Sequence, residues 1–422
     1  MERMIIEKSP GLEGSIRVMG AKNSALPILA ATLLGTEEII LEDVPSLKDV
    51  EVMIQVLQSL GSEVEYVDKD TLRIDASHVD KTEPPYELMT KMRASFLVLG
   101  PLLTRLGVSR TSMPGGCAIG ARPIDLHLKG FRALGAEVEE NDEEFYVEAA
   151  AKNGLVGDAL YLDFPSVGAT QNIIMAATLA KGETVIENAA KEPEIVDLCS
   201  FLNKMGADIK GAGTSNVRIR GVEKLKGARH SIIPDRIETA TFMIAAAMTH
   251  GDLSIENIIP DHVHPITAKL KEMGCTVTED EDIIRVIGPD KLVPTSIKTL
   301  PYPGFPTDAQ AQFMAMLTVV PGQPSKVVET VFENRFMHAE ELIRMGADIR
   351  TEGKEATIHG VKQLHGAEVR ATDLRAGAAL ILAGLVAEGK TLLSDLYHID
   401  RGYVELEERM KSIGANITRV DM

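Results

Sequence analysis

"LGSEV" at 60–64 returns as "LGAEV" at 134–138, "MGADI" at 205–209, "MGCTV" at 273–277, "MGADI" at 345–349 and "IGANI" at 413–417. Its glycines, Gly61, Gly135, Gly206, Gly274, Gly346 and Gly414, stand 74, 71, 68, 72 and 68 residues apart. Six nearly even spacings mark an internal repeat of about 70 residues. Each copy begins with an apolar, alanine-rich segment closed by a glycine, such as "SALPILAATLLG" at 24–35, "ATFMIAAAMTHG" at 240–251 and "AGAALILAGLVAEG" at 376–389. Small and apolar residues on nearly every face predict a buried helix, and the closing glycine suits its C-cap. A short β-branched run follows, as in "ETVIEN" (183–188) or "SKVVET" (325–330). Next comes an amphipathic segment such as "EPEIVDLCSFLNKMG" (192–206), whose apolar spacing of three and four residues predicts a half-exposed helix. The glycine phrase ends that helix and opens another strand.

Each repeat therefore reads strand–buried helix–strand–surface helix–strands, an α/β fold of the βαβαβ type. A chain of 422 residues exceeds one ordinary core. Six repeats divide into two similar domains of three, each pseudo-threefold: residues 21–230, and residues 231–422 joined by the first twenty. A solenoid is the structural alternative, although its repeats are usually shorter.

Composition narrows the partners. With 44 basic against 62 acidic residues the net charge is −18, so the surface repels nucleic acid and anionic lipid. The apolar run "AALILAGLVA" (378–387) is about half the length of a membrane span. The opening "MERMIIEKSP" lacks the apolar core of a secretory signal. Cys117, Cys199 and Cys275 are odd in number and widely spaced, with no CxxC, which indicates neither a zinc site nor a disulfide framework. The expected compartment is a reducing cytoplasm.

The repeat also serves as a ruler. From the residue ending the middle strand to the phrase glycine, five repeats measure 19, 19, 18, 17 and 20 residues, from Glu42, Glu187, Glu256, Glu329 and Ser394. The second repeat, from Ser112 to Gly135, measures 23. Its extra length lies in "TSMPGGCAIGARPIDLH" (111–127), a loop that holds Cys117. Extra glycine-rich length in one copy of a regular repeat predicts a functional loop or lid. Cys117 can be read as a small apolar filler, but Gly115-Gly116 cannot enclose a thiol, and Arg122 favours thiolate. Cys199 and Cys275 lie on or beside helical patterns and are expected in or near the core.

Cations and polar groups recur just before the buried helices. Lys22 and Asn23 stand there in the first repeat, Arg93 in the second, Ser166 and Gly168 in the third, Arg236 in the fourth, Asp308 in the fifth and Arg375 in the sixth. Helix N-termini bind anions, and adjacent lysine or arginine strengthens a phosphate or carboxylate site. The alternative is that Asp308 and Ser166 are simple N-caps and the arginines form surface ion pairs. Arg335 and Arg401 add cations in the loops that correspond to the Cys117 loop.

These segments, with "GAKNSALP", "SVGAT", "PDRIETATFM", "GFPTDAQAQF", "ENRFMH", "ATDLRA" and "YHIDRGY", resemble the UDP-N-acetylglucosamine 1-carboxyvinyltransferase family of enolpyruvyl transferases over essentially the whole chain. The resemblance implies an inside-out α/β barrel in each domain. Lys22, Arg93 and Arg122 belong to the first three repeats and Asp308, Arg335, Arg375 and Arg401 to the last three, which predicts an active site in the cleft between the domains and closure of that cleft on the nucleotide sugar. The resemblance further implies transfer of the enolpyruvyl group of phosphoenolpyruvate to UDP-N-acetylglucosamine, in peptidoglycan precursor synthesis, without metal or redox cofactor. Lys22, Asn23, Arg122, Arg375 and Arg401 match positions that hold phosphoenolpyruvate, Cys117 the acid, and Asp308 the base. Lys22 and Arg401 are counted with the catalytic set. Asn23, Arg93, Arg122, Pro123, Ile124, Asp125, Leu126, His127, Ser166, Val167, Gly168, Asp308 and Val331 match contacts to the nucleotide sugar. The resemblance also implies that the epoxide fosfomycin alkylates Cys117. Some members carry a lysine two residues before the serine of "SVGAT", where this chain has Phe164-Pro165. An acceptor such as shikimate 3-phosphate, or a non-catalytic paralogue that binds the nucleotide sugar, are the other readings.

Overall fold

The computed structural model describes residues 2–112, 124–141 and 146–421, with only the backbone described at Arg93 and Ser95. The recurrent phrase is a helix terminus. In all six copies the glycine has a φ between +87° and +109°, which only glycine adopts freely. The residue after it donates its N–H to the carbonyl five positions back: Ser62 to Leu57, Ala136 to Phe131, Ala207 to Leu202, Cys275 to Leu270, Ala347 to Leu342 and Ala415 to Met410. This is the Schellman pattern, which satisfies an orphan carbonyl and turns the chain into the next strand.

The surface helices ending there are Lys48–Ser59, Asp125–Ala133, Pro193–Lys204, His264–Glu272, Met337–Arg344 and Leu406–Ser412. The buried helices are Lys22–Ala31, Leu99–Leu106, Val167–Ala177, Arg236–Met248, Gln310–Leu317 and Leu374–Val386. In Arg236–Met248 every residue after the first is buried, as its all-round apolar sequence requires. Gly107 caps its helix in the left-handed region, φ +78°. Gly35 does not: a 3-10 turn, Thr32–Leu34, intervenes and Gly35 is extended at φ −77°.

Among the described residues there is one small sheet per repeat. In the third repeat, Ala159–Tyr161 runs parallel to the central strand Glu183–Glu187, which pairs antiparallel with Asn216–Arg220 and through it with Asp208–Lys210. The fifth repeat has the same order, built from Ile297–Lys298, Ser325–Val328, Glu355–His359 and Asp348–Glu352. The two N-terminal strands complete sheets of later repeats. Glu13–Arg17 lies parallel to Asp252–Glu256, with Ile16 opposite Ile255. Glu2–Glu7 lies between Lys390–Ser394 and Asn416–Asp421, antiparallel to both, and buries Met4 and Ile6 completely.

The described residues form two compact units. One takes in those between Gly20 and Ile233, and the other those up to Met19 and from Pro234 on. In the first, Lys22–Ala31 packs on Pro193–Lys204; in the second, Gln310–Leu317 packs on Leu374–Val386. Among the described residues no helix is long and apolar enough to cross a membrane.

Candidate active site

In the Gly20–Ile233 unit the polar groups gather at the starts of the buried helices. Lys22 opens the first helix, and its Nζ lies 3.0 Å from Oδ2 of Asp49, a carboxylate almost fully buried. Beneath the same turn the Ser24 hydroxyl donates to Asp197 Oδ2. Asp197 also accepts from the Ile233 N–H at 3.3 Å, and its Oδ1 lies 2.8 Å from His230 Nε2. His230 Nδ1 lies 3.0 Å from Lys204 Nζ, so the ring accepts on Nδ1 and donates from Nε2. Ser24, Asp197 and His230 are all buried, and together they anchor the turn that carries Lys22 and Asn23.

Two more starts lie near each other in this unit. Ser166 caps Val167–Ala177, its Oγ accepting from Ala169 N–H at 3.3 Å. A Cβ on Gly168 would stand 3.3 Å from the His127 ring, so glycine is what lets the helix start approach that imidazole. His127 Nδ1 in turn lies 3.1 Å from Asn172 Nδ2, and the ring meets Phe96 edge-on. Asp125 and Leu126 open the helix that carries His127, with Ile124 at its cap position. Arg93 opens the 3-10 turn Arg93–Val98. Cys117, Arg122 and Pro123 lie outside the described residues.

In the second unit Asp308 is the centre of a cluster. It sits in the 3-10 turn Thr307–Ala309, before the buried helix of the fifth repeat, but no side chain caps that turn. Instead Asp308 Oδ1 meets Arg335 Nη2 at 2.9 Å and Oδ2 meets Arg375 Nη2 at 3.2 Å. Both guanidiniums are buried, while the Asp308 side chain keeps 26% of its surface. Burial opposes the charge on Arg375, yet Asp308 and Tyr403 hold its pKa above the ordinary arginine value. Tyr403 links the group: its hydroxyl meets Arg375 Nη1 at 3.5 Å and Thr241 Oγ1 at 2.8 Å, and Gln312 Nε2 reaches both Tyr403 and the Asp308 carbonyl. His338, fully buried behind Arg335, has its pKa pushed down to about 4 by burial and is neutral at pH 7, with Nε2 2.9 Å from Met314 Sδ. Arg401 ends the short helix Tyr397–Asp400.

Of the two readings of the helix starts, Ser166 is a cap and Asp308 is not. The caps before the two arginine-bearing helices are Asp235, ahead of Arg236, and Asp373, ahead of Arg375. The sequence patterns point to the arginines and not to these aspartates. Tyr403, Gln312, Asp197 and His230 were also missed. A tyrosine in "HIDRGY" and a histidine in a strand carry no periodic signal of the polar atoms they meet.

The two described thiols are core groups. Burial pushes Cys199 up to about 12 and Cys275 up to about 11. At pH 8 about a thousandth or less of either is thiolate, the form that reacts. A native protein treated with fosfomycin or iodoacetate should therefore carry the adduct on Cys117 alone, read by peptide mass mapping. Modification of Cys199 or Cys275 ahead of Cys117 would contradict this.

A family model described as EPSP synthase (3-phosphoshikimate 1-carboxyvinyltransferase) matches residues 6–410. A UDP-N-acetylglucosamine 1-carboxyvinyltransferase of Finegoldia magna is 66% identical over 100% of both chains. One of Caldanaerobacter subterraneus subsp. tengcongensis is 61% identical over 99% of each. Among solved structures, the enolpyruvyl transferase NikO from Streptomyces tendae superposes with a TM-score of 0.89 at 26% identity, covering 99% of this chain and 98% of that one. An EPSP synthase from Acinetobacter baumannii gives 0.78 at 18% identity over the whole of both chains, a likeness of fold.

Proposed function

The chain belongs to the EPSP synthase family, and from that premise we propose that its acceptor is a nucleotide sugar and that the polar groups described above handle phosphoenolpyruvate. It is a UDP-N-acetylglucosamine enolpyruvyl transferase, acting at the first step of peptidoglycan precursor synthesis. The observation that carries this reading is full-length identity of 66% to an enzyme of that name, against 18% to an EPSP synthase of the same fold.

The reaction adds and then eliminates. The 3′-hydroxyl oxygen bonds to C2 of phosphoenolpyruvate while C3 gains a proton, giving a tetrahedral adduct that still carries the phosphate. C3 then loses a proton, the C2–O bond to phosphate breaks, and the double bond returns on the transferred group. We assign Cys117 as the acid toward C3 and Asp308 as the acceptor of the hydroxyl proton. Asp308 suits that role because both its oxygens are oriented by buried arginines while 26% of its side-chain surface stays exposed. Lys22, Asn23, Arg122, Arg375 and Arg401 are assigned to the phosphate and carboxylate of phosphoenolpyruvate, for which guanidinium forks and ammonium are the fitting donors. Arg93, the 122–127 segment, Ser166, Val167, Gly168 and Val331 are assigned to the nucleotide sugar, together with Asn23 and Asp308. We place the enzyme in the cytoplasm, which the unpaired cysteines suit.

The test is phosphate release from phosphoenolpyruvate with each acceptor. UDP-N-acetylglucosamine should support turnover and shikimate 3-phosphate should not. Turnover only with shikimate 3-phosphate, or binding of the nucleotide sugar without phosphate release, would refute the assignment.

A further inference from the structure

A glutamate ends the middle strand in three repeats, at Glu42, Glu187 and Glu256, and Glu329 follows directly on Ser325–Val328 in the fifth, but the fifth repeat uses it differently. Glu187 is exposed, Glu256 is half-buried, and Glu42 pairs with the exposed Arg229. Glu329 is 1% exposed. The next position also differs. Asp43, Asn188, Asn257 and Asp395 all take a left-handed φ there, between +56° and +60°, and turn the backbone away from the strand. Thr330, which is β-branched, does not join that set.

In the fifth repeat the Glu329 side chain makes the turn instead. Its Oε1 accepts from the N–H groups of Val331 at 2.9 Å and Phe332 at 3.2 Å, and from the Thr299 hydroxyl at 2.8 Å. Its Oε2 accepts from the Thr307 hydroxyl at 2.9 Å. Four donors thus converge on this buried carboxylate, three on Oε1 and one on Oε2. Thr307 immediately precedes Asp308. Val331 and Phe332 begin the loop that leads to Arg335, whose Nη2 meets Asp308 Oδ1.

We propose that Glu329 is a positioning residue for the transfer: one carboxylate oxygen holds the Thr307–Asp308 turn, and the other holds the backbone at Val331. One buried side chain thereby fixes both the group that takes the acceptor's proton and the loop assigned to the acceptor. This rests on the roles proposed above for Asp308 and Val331. The exposed glutamate at the same place in the third repeat has no such duty.

The experiment compares kcat and the KM for UDP-N-acetylglucosamine in variants of the full chain, with thermal unfolding in parallel. Thr307→Val removes one hydroxyl donor and keeps the side-chain shape. It should lower kcat by about tenfold, leave the KM within about twofold and lower the unfolding midpoint somewhat, because Glu329 Oε2 loses its hydroxyl partner. Thr307→Ser restores the donor and should recover most of kcat. Glu329→Ala frees both segments and should lower kcat and raise the KM together, while Glu187→Gln should change neither. Should Glu329→Ala fail to fold, the Thr307 pair still decides. Wild-type kcat in Thr307→Val, alongside a strongly impaired Asp308→Asn, overturns the Glu329 tie alone. Wild-type kcat in Asp308→Asn overturns the role of Asp308 and this proposal with it.

Discussion

Cys117→Ser should lose at least about a hundredfold in turnover, the lower range for removal of a general acid. A thiol with an ordinary pKa of about 8.5 can give up a proton near neutral pH, whereas an alcohol has no comparable ionisation in water. The substitution changes one atom and little volume, so it tests acidity rather than packing. Cys117→Asp keeps an ionisable proton and should outperform serine, most clearly at low pH, where the carboxylic acid is protonated. Steady-state phosphate release across pH reads both. Serine equal to wild type at every pH would remove the acid role. The fosfomycin adduct should vanish in either variant, because Cys199 and Cys275 are buried and their thiols are held far above the usual range.

What the sequence made legible has a local physical cause. The glycine phrase could be read because a Schellman terminus needs a residue at positive φ at a fixed place, and six such termini recur at the repeat length. The buried helices could be read because small and apolar residues cover nearly every face, as in the run from Ala376 to Leu385. Pairing between distant strands is another matter. That Glu2–Glu7 inserts between Lys390–Ser394 and Asn416–Asp421 follows from register, which no local pattern announces.

The site divides the same way. Asp308, Arg335 and Arg375 stand out in sequence as charged residues at helix starts and loops, and the fold brings these three together. The groups that hold them do not stand out. Tyr403 and Gln312 are inside, and their place in the network depends on which hydroxyl or amide faces which across packed helices. Glu329 looks identical to Glu42, Glu187 and Glu256 in a repeat alignment. Only the missing left-handed turn residue at Thr330 hints that it turns inward. Asp235 and Asp373 do not stand out beside the neighbouring arginines, which carry the chemical signal at those helix starts.

Asp308→Asn should lower turnover by at least about a hundredfold while leaving nucleotide-sugar affinity largely intact. Asparagine keeps the size of the side chain but lacks the basic site that takes the hydroxyl proton. It also changes the cluster. Aspartate accepts from Arg335 on Oδ1 and from Arg375 on Oδ2, whereas an amide has one acceptor and would turn its NH2 toward one of the two guanidiniums. A hydrogen bond to a charged group contributes about 1.5–3 kcal/mol, so the variant should also unfold somewhat more easily. Thermal unfolding and calorimetric titration with UDP-N-acetylglucosamine separate that cost from the chemical one. Asp308→Glu retains both charge and basicity but displaces them by one methylene. It should hold the arginines better than asparagine and still turn over slowly, because a proton acceptor must lie within hydrogen-bond reach of the hydroxyl. Near-normal turnover in Asp308→Asn would leave Asp308 as a counter-ion that orders Arg335 and Arg375, and the proton of the 3′-hydroxyl would have to go elsewhere.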